Sequence, residues 1–261
     1  MNRNLNLNLS EIKKDIPSSD DDDKEEDEED VELINVDLIF NTKSNWYQKS
    51  EVYWNGQDAT EDAMTGGFPQ YNEFDIAQSE KFISKYQKSF GMGRERVADC
   101  GCGVGRVSRM LLQRYFDNID LIEPIPKFLS IACSSLQKSN VKFTAFNTGL
   151  QNFEPNALYD AFWIQWPIMY MTDKDAVAFL KRASQHLAPN GKIFVKDNLG
   201  TQDLSAPKEY GSFDADDHSL CRTYLHYKSI FEEAGLKILE SERLEEWGKD
   251  LLPLYLFVLS L

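Results

Sequence analysis

No stretch of this 261-residue chain approaches the roughly 18 consecutive apolar residues that a membrane-crossing helix needs, so no membrane partner is expected. Met1–Ser10 does not read as a signal peptide either. Cysteine is scarce: Cys100, Cys102, Cys133 and Cys221 are the only four. Only the first two lie close together, and no Cys/His quartet has zinc spacing, so no metal site is expected. Free thiols suit a reducing compartment, and the expected location is the cytoplasm, with the nucleus open to the chain as well. Positive charge is short too, with 28 Lys and Arg against 43 Asp and Glu. A dedicated nucleic-acid binder shows a basic face, so that class is set aside. A mildly acidic surface fits a basic peptide, or plain solubility.

Acid is present in excess in one place. Asp20–Asp30, DDDDKEEDEED, holds ten acids and one lysine and accounts for −9 of the net −15, leaving −6 for the rest. Such a run repels itself and buries nothing. Residues 1–44, poor in aromatics, are therefore expected to form an acidic disordered tail. Residues 45–261 are expected to form one domain, for which an apolar fraction of 42% supplies a core.

Along that domain, apolar spacing at Ile76, Phe82, Ile83 and Tyr86 predicts a helix. Strands and helices then alternate: RVADCGCG, RVSRMLLQRYF, IDLIEP, PKFLSIACSSLQ (opened by Pro126), VKFTAFN, YDAFWIQW, DKDAVAFLKRASQHL and GKIFVKDN. A helix over CRTYLHYKSIFEEAG, stopped by Gly235, and two strands, LKILESERL and PLYLFVLSL, close the chain. Alternation of this kind predicts a parallel sheet covered by helices on both faces. Leu199–Ser219 is too long for a bare connection and carries Asp203, Asp214, Asp216, Asp217 and His218. It follows a strand's carboxyl end, where loops border the ligand crevice, so it is expected to be a lid or substrate wall.

DCGCGVGR, Asp99–Arg106, follows the first strand and opens the first helix of the alternating region. Gly101, Gly103 and Gly105 let the backbone turn sharply and let a ligand approach main-chain N–H groups. The G-x-G-x-G spacing differs from the G-x-G-x-x-G that suits a pyrophosphate cofactor. Arg106 could grip a carboxylate or, equally, a phosphate. Glu123 ends the next strand 18 residues after Gly105, where an acid binds ribose hydroxyls in nucleotide-type folds. In DAFWIQWPIMYMTD, a glutamine stands between two tryptophans, which a plain core strand has no use for. Trp163 alternates with Ile164 and reads as core, whereas Trp166 lies where the strand meets the crevice.

Taken with YW (Tyr53–Trp54), TGGF (Thr65–Phe68), GLQNF (Gly149–Phe153), FLKRASQHLAPNGKIFVKDN and DDHSLCR (Asp216–Arg222), these motifs resemble those of the eukaryotic protein N-terminal methyltransferases. These belong to the class I S-adenosylmethionine (SAM)-dependent methyltransferases. The resemblance covers roughly Val52–Leu261. It implies an α/β, Rossmann-like seven-stranded sheet with helices on both faces, whose last strand runs antiparallel. A helical N-terminal extension and a long acidic loop after the fifth strand go with it. It implies SAM as cofactor, protein N-termini beginning X-Pro-Lys as substrate, and a monomer.

The resemblance also implies roles. Gly101, Gly103 and Arg106 would hold the methionine part of SAM, Glu123 the ribose, and Leu150 and Gln151 the adenine, with Gln165 touching the cofactor beside the substrate channel. Trp166 would stack on the substrate's proline, and Asn198 would hydrogen-bond its first residue. Asp214 and Asp217 would meet the lysine or take the amine proton, with Ser219 beside them. Gly66 and Gly67 would close one wall. Three positions depart from the family pattern: Tyr170 stands where it has histidine, a candidate proton acceptor, Leu252 where it has tyrosine, and Pro167 follows Trp166. With an unperturbed pKa of about 10, Tyr170 is a poor base but can orient an amine or a water. The rival readings are a small-molecule SAM methyltransferase, a SAM-binding relative with lost or altered activity and, weakest, a dehydrogenase.

Overall fold

A computed structural model describes residues 46–200, 211–244 and 251–261; the expected tail 1–44 and Asp203 of the long loop lie outside the described residues. Seven strands form one sheet: β1 (Arg96–Cys100), β2 (Asn118–Ile122), β3 (Lys142–Phe146), β4 (Tyr159–Gln165), β5 (Leu187–Asn198), β8 (Lys237–Arg243) and β9 (Leu254–Ser260). Their order is β3-β2-β1-β4-β5-β9-β8. The first five run parallel, and β9 lies antiparallel between β5 and β8.

Period-two alternation sorts the strand side chains between two cores. Phe162, Ile164 and Val195 join Phe257 on one face, against helices α6 (Asp173–Gln185) and α7 (Tyr224–Glu233). Ala161, Trp163 and Phe194 face the other way, against α3 (Asn72–Phe90), the helical segment 106–115 (α4) and α5 (Pro126–Leu136). Trp163 is fully buried, as its alternation with Ile164 predicts.

Local chemistry sets the helix ends. Thr172 caps α6 by accepting from the Asp175 N–H, and Asp173 and Asp175 favour its positive N-terminus. Gly91 (φ 66°) and Gly235 (φ 79°) end α3 and α7 in the left-handed region. Two elements differ from the sequence-based reading. Ser108–Leu112 winds as a π-helix within α4. The expected helix from Cys221 begins only at Tyr224, where Thr223 caps it. Before it, β6 (Ser212–Asp214) and β7 (Ser219–Cys221) pair antiparallel as a small hairpin, so part of the expected loop is paired strand.

Ahead of the sheet, α1 (Trp46–Gly56) and α2 (Glu61–Met64) form the helical extension. Tyr47 Oη donates to Asp175 Oδ2 at 2.5 Å, and Lys127 Nζ donates to the Asn55 carbonyl at 2.7 Å. These bonds moor α1 across the carboxyl ends of the parallel strands.

Candidate active site

The strand order reverses between β1 and β4, where Cys100 lies beside Ile164. Immediately after those residues the chains part, one into the glycine loop and the other into Gln165, Trp166 and the 3₁₀ turn Pro167–Tyr170. A crevice at such a switch point is where open α/β sheets bind ligands. Here it is a cleft of about 1080 Å³ including its mouth. Gly101, Gly103, Arg106, Glu123, Leu150, Gln151 and Gln165 all line it, as do Trp166 and Tyr170.

Glu123 is buried with its carboxylate fixed by two main-chain donors, Gly103 N–H at 3.0 Å and Ile125 N–H at 2.8 Å. Burial, opposed by those bonds, still pushes its pKa up to about 7. A carboxylate has about four acceptor sites, so two remain for a pair of hydroxyls. Nearby, Asp99 accepts from Ser108 Oγ at 2.6 Å, and burial raises it to about 6.

At the other end of the cleft, Arg106 is buried and pairs with Asp75 at 2.8 Å, and Lys196 pairs with the same carboxylate at 2.5 Å. Gln165 Nε2 donates to both Asp75 oxygens at 3.0 Å, and its Oε1 accepts from Trp163 Nε1 at 3.2 Å. Burial pushes the Asp75 pKa up, but Lys196 and Arg106 outweigh it and hold the group down at about 2. Two cations share the Asp75 carboxylate, with the Asp99 charge acting on Arg106 as well and burial lowering the Lys196 pKa. Arg106, which lines the cleft, is the cation that an incoming ligand carboxylate would meet.

The donor set therefore fits SAM: an anion seat at Arg106, an acceptor for ribose hydroxyls at Glu123, and a wall at Leu150. Arg182 Nη2 anchors that wall through the Leu150 and Gln151 carbonyls, each at 3.0 Å. Asp75 and Lys196 escaped the sequence reading. A signal was available, since Asp75 shares the apolar face of α3 with Ser79, Phe82 and Tyr86 at helical spacing, an unusual seat for an acid.

The remaining candidates, Asp214, Asp217, Ser219, Asn198, Gly66 and Gly67, are not part of the cleft lining, and Tyr170 links the lining to Asp217. Tyr170 Oη donates to Asp217 Oδ2 at 2.9 Å, and the Ser219 N–H donates to Asp217 Oδ1 at 3.0 Å. Burial, and then the Asp217 charge, raise the Tyr170 phenol well above its ordinary value, so it acts as a donor. Burial and repulsion from Asp214 raise the Asp217 carboxyl despite its bonds to Ser219 and Tyr170. Tyr53 on α1 is raised by burial and by Asp217, Asp214 and Asp216, so the three acids face α1. Trp46 Nε1 donates to the Tyr170 carbonyl at 2.7 Å and packs on Phe213 and His218 of the hairpin region. Asn198 Nδ2 donates to the Leu252 carbonyl at 3.0 Å. Gly66 and Gly67 are exposed just after α2, with φ of 63° and 81°.

Sheet order, glycine loop, ribose acid and anion seat together define a class I SAM-dependent methyltransferase. Within that class the chain belongs to the AdoMet-dependent proline di-methyltransferase family, whose sequence model matches residues 42–260. It is 36% identical over 223 residues to the N-terminal Xaa-Pro-Lys N-methyltransferase 1 of Xenopus tropicalis, covering 83% of this chain and 96% of the relative. It is 33% identical over 229 residues to the alpha N-terminal protein methyltransferase 1 of Arabidopsis thaliana, covering 84% and 80%. A solved SAM-dependent methyltransferase of Leishmania major superposes with a TM-score of 0.78 at 32% identity, covering 86% of this chain and 91% of that one.

Proposed function

We propose that the protein transfers methyl groups from SAM to the α-amine of protein N-termini of X-Pro-Lys type. One observation carries this reading beyond the family. The cleft that fits SAM is walled by Trp166 and Tyr170, and Tyr170 hands on to a half-buried acid, Asp217, of raised proton affinity.

When bound, SAM supplies an electrophilic methyl group that an amine lone pair can take. The protein's part is to present the amine neutral and in line. An α-amine has a pKa of about 7.7–8, so roughly a tenth is already free base at neutral pH, and positioning matters more than strong basicity. Tyr170 cannot act as the base. Its hydroxyl orients Asp217, whose carboxylate accepts the amine proton directly or through a water. Trp166 offers a face to the second-position proline. Asp214, Asp216 and Asp217 oppose Tyr53 across the slot and attract the third-position lysine. Asn198 serves the first residue after its amide turns from the Leu252 carbonyl.

The test is mass spectrometry of a Ser-Pro-Lys peptide incubated with enzyme and SAM. Methylation of the α-amine, abolished by acetylating that amine, is the expected result. Incorporation at a lysine side chain would overturn the reading.

A further inference from the structure

The turn that walls the peptide slot is built directly on the cofactor loop. Gly101 has φ +72°, and a Cβ there would stand 2.6 Å from Pro167 Cβ and 2.9 Å from its Cγ. The proline ring fills the space that any other side chain at position 101 would need. One residue earlier, Trp166 holds φ 73° and ψ −19°, a left-handed backbone that is rare for a bulky residue. Such a conformation persists only when its surroundings over-determine it.

Three contacts fix it. The Trp166 N–H donates to the Lys196 carbonyl at 2.9 Å. Pro167, with its φ locked by the ring, follows. The indole lies against Arg106, whose guanidinium carbon is 5.4 Å from the ring centroid. Arg106 in turn donates from Nη1 to Asn72 Oδ1 and Asp75 Oδ2, each at 2.8 Å. The group that fits the cofactor's carboxylate is therefore also the platform of the slot's tryptophan.

We propose that Trp166 and Pro167 are positioning residues that couple the two ligands, so that an occupied cofactor site tightens the peptide slot. This rests on the reading that Trp166 faces an N-terminal peptide. The physical basis is population shift. A left-handed tryptophan has relaxed alternatives, and those alternatives abandon the Arg106 face. A carboxylate bound to Arg106 fixes the guanidinium plane, and Pro167 against Gly101 removes backbone freedom. Together they depopulate the alternatives before the peptide arrives. By linkage, the peptide raises cofactor affinity by the same factor.

The test is calorimetric titration of a Ser-Pro-Lys hexapeptide into the full chain, with and without saturating S-adenosylhomocysteine. That ligand keeps the carboxylate but has no methyl to transfer. The wild-type protein should bind the peptide about ten-fold tighter when it is loaded, within the range usual for coupled sites. Pro167→Ala should reduce that factor to about two-fold, a change that a merely weaker fold would not produce. Independently of any peptide, Trp166→Leu should weaken S-adenosylhomocysteine about three-fold, because Arg106 loses its aromatic face. Equal peptide affinity with and without ligand in the wild type overturns the coupling and leaves the slot reading standing. Unchanged S-adenosylhomocysteine affinity in Trp166→Leu overturns the route through Arg106. A peptide that binds neither form overturns the slot reading and the coupling with it.

Discussion

Lowering the pH from 8 to 6 should weaken SAM binding about ten-fold, and Glu123 should be the cause. Burial holds its pKa at about 7 in the ligand-free protein. It is then ionised about nine times in ten at pH 8 and about one time in eleven at pH 6. Two ribose hydroxyls donating to the carboxylate favour its charged form and lower its pKa in the bound state. The binding-competent fraction therefore falls by a factor of about ten across the two pH units, close to 1.4 kcal/mol. Calorimetry at pH 6, 7 and 8 at constant ionic strength would measure it. At pH 7, buffers of different ionisation enthalpy should report release of about half a proton. Asp99, also raised but only to about 6, completes most of its titration by pH 7, so the limb from 7 to 8 isolates Glu123. Glu123→Gln keeps any titration of the cofactor itself and should flatten the remainder. A wild-type affinity unchanged between pH 6 and 8, or a slope that survives in Glu123→Gln, would refute the reasoning.

Asp217→Asn should lower kcat about a hundred-fold with SAM affinity unchanged in calorimetry, as removal of a proton acceptor does. Tyr170→Phe takes a hydrogen bond from the Asp217 carboxylate, so the acid limb of its pH–kcat/KM profile should move upward; an unmoved limb would leave the hydroxyl as a space filler. Asp75→Asn removes the carboxylate shared by two buried cations, Arg106 and Lys196, and should cost about 3–5 kcal/mol in denaturant unfolding. Glu123 and Asp197, both raised to about 7 by burial, bind protons more tightly folded than unfolded. Stability from this source is therefore lost as pH rises towards 7, and the ligand-free melting temperature should be higher at pH 6 than at pH 8.

Sequence legibility followed the range of the interactions. The alternation of β4, the glycine loop and the ribose acid are local patterns, so Trp163, Gly101 and Glu123 could be placed from spacing alone. The Asp75–Lys196 pair joins residues 121 apart, and nothing in either neighbourhood names the other. The β6–β7 hairpin hides in a polar stretch because three-residue strands leave no readable period. Asn198 was legible as a strand-end amide. Its bond to Leu252 was not, because it depends on where the segment before β9 crosses β5.

Strand β9 has a consequence for how the molecule is made. Its apolar residues from Leu254 to Val258 are buried between β5 and β8, and among the described residues β8 has no other strand neighbour. During translation, the edge of β5 at residues 193–198 stays open until residues 254–260 emerge some sixty positions later. At roughly 5–20 residues per second, that leaves an unpaired hydrophobic edge for about 3–12 s on every ribosome. Nascent chains stalled between the two strands should be the form that chaperones hold and that aggregates when they do not.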